Sequence, residues 1–158
     1  MQRILLALLL TATATSALAD NLFDVPPTLS SLEDVIIWES QRPTSTLKKM
    51  ALHDRDKTIA ILTYQAVVLS RFLATKQYWV ASDIGLTSAS IRTQQPGAFE
   101  RFFELLVLEL GEPNARTPLP AVDGPGAFEL SWYETPIADG IQLSKTQDYT
   151  RLSVYGPK

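Results

Sequence analysis

Apolar residues recur every three or four positions through the middle of the chain and alternate with polar ones near its end. Ile59, Leu62, Ala66, Leu69 and Leu73 fall in one helical stripe, with Ile61, Tyr64, Val68 and Phe72 roughly opposite. No charge interrupts Thr58 to Ser70, so the spacing predicts a central helix covered from two sides. A second helix is predicted from about Pro96, suited to a first helical turn, to Leu110, where Gly111 would cap it. Its core stripe would be Phe99, Phe102, Phe103, Leu106 and Leu110, with Glu100 and Glu104 on the opposite side. Leu105 and Leu108 flank Arg101 on that helix and need a cover or form a contact patch.

Shorter elements come before and between these. Ser31 followed by Asp34 reads as a capping arrangement for a helix reaching about Gln41, ahead of Pro43. A strand through Val35, Ile36, Ile37 and Trp38 is the competing reading of that segment. Thr44, Ser45 and Thr46 start a further short helix through Met50 to Leu52. Tyr78 to Val80 and Thr87 to Thr93 form a strand, turn and strand around Asp83, Ile84 and Gly85.

From Phe128 onward the period is two. Phe128, Leu130 and Trp132, then Ile141 and Leu143, then Leu152 and Val154 alternate with polar neighbours, as half-buried strands do. Gly111 to Gly126, with four prolines and three glycines, reads as a long connection without regular structure. The expected fold is α+β, with helices in the N-terminal two-thirds packed on one face of a C-terminal three-stranded antiparallel meander. No internal repeat stands out.

The N-terminus changes the picture of where this domain works. Met1-Gln2-Arg3, an aliphatic run from Ile4 to Leu10, and Ala17-Leu18-Ala19 before Asp20 have the order of a cleavable signal peptide. The expected organisation is a signal over 1–19 and one globular domain over 20–158. That domain would have an extended arm at 20–30 and a Pro/Gly-rich loop at 111–126. No segment approaches the roughly 20 apolar residues of a membrane-spanning helix.

Composition narrows the class. The net charge is −3, and loss of Arg3 makes it one unit more negative. Without a basic stripe, nucleic acid is a poor partner. The chain has no cysteine, and neither Asn21 nor Asn114 opens a glycosylation site. An exported domain with neither feature points to the bacterial envelope, periplasmic or secreted.

Candidate chemistry is sparse. One histidine and no cysteine cannot build a His/Cys zinc site, and no motif implies a cofactor. In His53-Asp54-Arg55-Asp56 the acids read better as caps of a following helix than as metal ligands. A Ser-His-Asp site would have to use His53, and no G-x-S-x-G elbow marks its nucleophile. Glu100 and Glu104 are the one carboxylate pair a hydrolase would use. Gly124-Pro125-Gly126 lacks the Lys-Ser/Thr of a phosphate loop.

Surface chemistry is more specific. With Phe128, Leu130, Leu152 and Val154 in the core, Glu129, Tyr133, Tyr149, Arg151 and Tyr155 share the other sheet face, and Tyr and Arg are residues that interfaces favour. Trp38, Trp79 and Trp132 read as core. The expected function is a non-catalytic protein-binding module of the envelope, such as an inhibitor of a partner protein, with a glycan as the other partner class. The alternatives are a carboxylate-dependent hydrolase of envelope polymers and a structural or assembly factor.

Overall fold

The computed structural model describes residues 25–26, 30–54 and 58–157. The expected signal peptide, its cleavage site, most of the arm and Asp56 lie outside the described residues. The fold is a mostly-sheet one and corrects the expected α+β arrangement. Among the described residues, eight strands join in a single antiparallel sheet, and two helices accompany it. Helix α1 (Leu32–Ser40) is followed by β1 (Thr46–Asp54), β2 (Thr58–Val68), β3 (Phe72–Ala81) and β4 (Gly85–Thr93). Helix α2 (Ala98–Leu110) is followed by β5 (Ala115–Pro118), β6 (Phe128–Tyr133), β7 (Ala138–Lys145) and β8 (Thr150–Pro157), with a 3-10 turn at Ala121–Asp123.

The strand order is β1-β2-β3-β4-β8-β7-β6-β5. Each helix thus leads a four-stranded meander, and the two meanders meet antiparallel along β4 and β8, where Ser90 pairs with Ser153 and Arg92 with Arg151. The chain therefore repeats one order of elements twice, a repeat its residues do not show.

Two expected helices are strands. Thr58–Val68 has apolar residues at both parities, which mimics a helix with two stripes. Its ladder to β3 instead buries Ala60, Leu62, Tyr64, Ala66 and Val68 on one face and turns Ile59, Ile61 and Val67 to the other. The turn into β3 hides the hairpin, because Leu69 and Ser70 both have positive φ (49° and 57°) without the usual Asn or Gly. Thr46–Asp54 pairs along β2 with Lys48 as the extra residue of a bulge, so the helix expected through Met50 is absent. Strand β2 starts at Thr58, which removes the helix that Asp54 was expected to cap.

Other expectations hold. Helix α1 starts with a complete capping box, Ser31 Oγ accepting from the Asp34 amide and the Asp34 carboxylate accepting from Ser31 N. The Ser31 hydroxyl, which donates to Asp34 Oδ2 at 2.7 Å, and the Ser31 amide hold the Asp34 carboxyl below its ordinary pKa. Helix α2 ends at Gly111, whose φ of 79° suits a residue without Cβ and whose amide reaches Val107 O at 2.9 Å. The Gly111–Gly126 connection is not structureless: it contains β5 and the 3-10 turn.

Both helices pack on the same sheet face. Val35 of α1 joins Leu62, Tyr78 and Leu86 in one cluster, while Phe102 and Leu106 of α2 join Ile141, Leu143, Leu152 and Trp132 in another. Val25 touches both clusters. At the C-terminal end of α1, Glu39 is only 1% exposed. Its carboxylate lies 3.2 Å from Lys76 Nζ and accepts hydrogen bonds from Tyr78 and Ser45. Burial and the Glu39 charge both push Tyr64 above its ordinary pKa.

Candidate binding groove on the open sheet face

No described helix covers the opposite face, and strand parity decides what it carries. In β4 the core-facing Ala89, Ile91 and Thr93 alternate with Ser88, Ser90 and Arg92 on the open face, where Ser90 is itself buried. In β8 the core-facing Leu152 and Val154 alternate with Arg151, Ser153 and Tyr155 on the open face, where Ser153 is likewise buried. Register then stacks these residues in rows. Gln77, Ser90, Ser153, Gln142 and Ser131 form one row across β3, β4, β8, β7 and β6. Trp79, Ser88, Tyr155, Gly140 and Tyr133 form the next. Arg92, Arg151, Ser144 and Glu129 form the third.

Small residues at the seam and large ones around it make a groove of about 280 Å³. Ser88, Ser90 and Ser153 floor it, Trp79 and Tyr155 stand at one end, and Arg92, Arg151 and Tyr149 at the other. A bulge beside Trp79, where β4 gains Thr87, lets the Thr87 hydroxyl donate to Trp79 O at 3.0 Å. Gln77 and Arg92 also line a neighbouring depression of about 480 Å³ with Gln65, Gln94 and Gln95, so the groove continues toward the far end of β3.

Its electrostatics are one-sided. Among the described residues, no Asp or Glu lines the groove. The Arg92 guanidinium carbon lies 3.9 Å from the Tyr149 ring centre, a cation–π contact. Arg151 Nε is buried without an acceptor among the described residues. The acid of the same row, Glu129, accepts from Ser144 Oγ at 2.9 Å and forms no ion pair with Arg151.

Of the five residues singled out from sequence, Tyr149, Arg151 and Tyr155 come together in the groove. Glu129 and Tyr133 lie two strands away on the same face, with Tyr133 exposed and Gly140 between it and Tyr155. Sequence reasoning missed Arg92, Gln77 and Trp79. The alternation of Ser88, Ser90 and Arg92 was the signal for the first, and the parity that buries Tyr78 and Val80 was the signal for the others. Trp79, expected in the core, is half-buried on this face. Trp132 is core, its indole donating to Gly111 O at 2.9 Å, and Trp38 is half-buried.

The remaining candidates lie elsewhere. Glu100 and Glu104 are on α2, paired with Lys145 at 2.7 Å and Arg101 at 3.2 Å. The Lys145 hydrogen bond holds Glu100 below its ordinary pKa, the opposite of what a general acid needs. Leu105 packs against the core, whereas Leu108 is exposed. His53 is exposed on β1, and among the described residues no three His, Asp or Glu side chains gather as a metal site would require. A larger depression of about 560 Å³ beside the N-terminus of α1 is mainly aliphatic, with Leu32, Leu52, Val80 and Ile84. Ser31, Thr58, Ser82 and Asp83 also line it, but no arginine or aromatic side chain does. No family model matches this chain, and neither a curated protein nor a solved structure does.

Proposed function

We propose that the chain is an exported, non-catalytic binding module of the bacterial envelope that receives part of a partner protein on its open sheet face. The observation that carries this reading is the groove, where aromatic and arginine side chains surround a serine floor on the face both helices leave uncovered. Tyr and Arg combine contact area with directional bonding, and groups held by a sheet are ordered before the partner arrives. The groove and its neighbour together offer room for an extended segment. The hydrolase reading loses ground, because its two acids sit away from this groove in ion pairs.

An affinity capture tests it. Residues 20–158 serve as bait against envelope and secreted fractions of the source cell, beside a Tyr133→Ala/Tyr155→Ala bait. Both tyrosines are exposed, so their loss leaves the core intact. A stoichiometric partner kept by the first bait and lost by the second is the expected result. A partner kept equally by both baits, or none, overturns the assignment to this face.

A second reading, an assembly factor, has its own observation. Strand β1 is an edge, its described side chains are mostly exposed, and Leu47, Met50 and Leu52 lie bare on it. Such an edge is a template for pairing. Concentration-dependent oligomers in light scattering, abolished by Ala51→Pro, would favour that reading; a monomer at all concentrations would remove it.

A further inference from the structure

We propose that Arg92 and Arg151 form a receptor for an oxyanion, a carboxylate or a phosphate, carried by whatever occupies the groove. The proposal rests on the reading of the open face as a binding surface and specifies what that surface recognises. The two arginines are directly paired across β4 and β8. Like charges opposed in this way destabilise a sheet unless something lies between them. Here nothing described does. Neither guanidinium forms an ion pair among the described residues, and Glu129, the acid of their row, is engaged with Ser144.

The arginines are not simply solvated surface charges. Arg92 is stacked on Tyr149, whose amide and carbonyl are both bonded by the Thr146 hydroxyl, at 3.0 Å each. Arg151 is partly enclosed, and its Nε proton has no acceptor among the described residues although the atom is out of water. An unsatisfied buried donor is costly, and more so on a charged group. An oxyanion at the arginine end of the groove neutralises the pair. Guanidinium forks suit planar and tetrahedral oxyanions through paired N–H donors. The chain as a whole is acidic, so the local concentration of positive charge is not a by-product of composition. Trp79 and Tyr155, at the other end of the same groove, supply flat apolar surface for an aromatic or aliphatic part beside the anion.

The test uses residues 20–158 and three probes, N-acetylphenylalanine, phenyl phosphate and the uncharged N-acetylphenylalanine amide. Binding is followed by nuclear magnetic resonance at the arginine Nε–H and the Trp79 indole signals. We expect saturable shifts with at least one anionic probe and none with the amide, and each of Arg92→Gln and Arg151→Gln should weaken binding by about ten- to a hundred-fold. Response to the carboxylate alone or to the phosphate alone identifies the source of the anion. Absence of saturation with both anions, or equal binding by the Arg92→Gln/Arg151→Gln protein, overturns the proposal. Arg92 is exposed, so Arg92→Gln should fold, and thermal melting without probe provides a second readout. Because it relieves an unbridged like-charge pair, Arg92→Gln should melt no lower than the parent, and added anion should raise only the parent's midpoint. A marked loss of stability in Arg92→Gln also counts against the receptor. A partner captured through Tyr133 and Tyr155 but indifferent to both arginines would leave the binding face standing and remove the anion receptor alone.

Discussion

At the scale of single residues, Ser70 holds a backbone conformation that its side chain disfavours. With φ at 57° next to Leu69 at 49°, it closes the β2–β3 hairpin in a geometry that Asn-Gly ordinarily occupies. Ser70→Gly should raise stability by about 0.5–1 kcal/mol, the relief of a left-handed side chain less the entropy glycine adds to the unfolded chain. Urea unfolding measures this, and an unchanged or lowered midpoint would refute it. The same two residues explain why the hairpin was illegible. A Leu-Ser turn carries no turn signal, so the apolar positions on either side run together into one apparent helix. Tyr149, Arg151 and Tyr155 were legible because period two is unmistakable from Phe128 onward. Their companions Arg92 and Trp79 come from a strand pair whose alternation is just as regular but was read without regard to which face it gave each residue.

At the scale of elements, helix α1 is tied to the sheet as much by charge as by apolar contact. Lys76 is buried in β3 beside Glu39, and Tyr78 and Ser45 complete the carboxylate's hydrogen bonds. Removing one partner from such a pair strands the other, at a cost of about 3–5 kcal/mol. Lys76→Met should therefore unfold at markedly lower urea, while Glu39→Gln/Lys76→Met recovers most of the loss. If the double variant is no better than the single one, the ion pair is not what Lys76 contributes. The strand identity of Thr58–Val68 belongs to this scale too. Its 11 residues lie between two neighbours, so both faces hold apolar side chains, and hydrophobic spacing then carries little information about period. Helix α2, with a polar side and a fixed glycine stop, showed its limits to within two residues.

At the scale of the molecule, the two halves share one sheet. Six residue pairs between β4 and β8 continue the ladder from one meander into the other, and the core around α2 includes Val68, Phe72 and Ala74 from the first half. The halves should therefore unfold together. Variants that retain only Trp79 or only Trp132 report on the two meanders, and in each the fluorescence midpoint should coincide with that of circular dichroism. A separation of the two signals would show that the seam is weaker than either half. The edges of the sheet are unequal: β5 has four residues and ends in Pro118, while β1 has nine and is largely bare.

The strand order also imposes a sequence in time. Strands β1 to β4 can zip up from neighbouring hairpins, and so can β5 to β8, but the pairing of β4 with β8 joins strands far apart in the chain at the centre of the finished sheet. Until it forms, β4 and β8 each present an unpaired ladder, and the groove does not exist, because Ser88, Ser90 and Arg92 come from one strand and Arg151, Ser153 and Tyr155 from the other. Pairing Ser88 with Tyr155 closes a loop that spans α2 and three strands, the kind of long-range contact that slows folding. The slowest step in making this protein is then the one that creates its candidate site. A chain caught before that step would carry two sticky edges and no binding groove, so a folding helper or a tightly timed release would matter more here than for a sheet built outward from its middle.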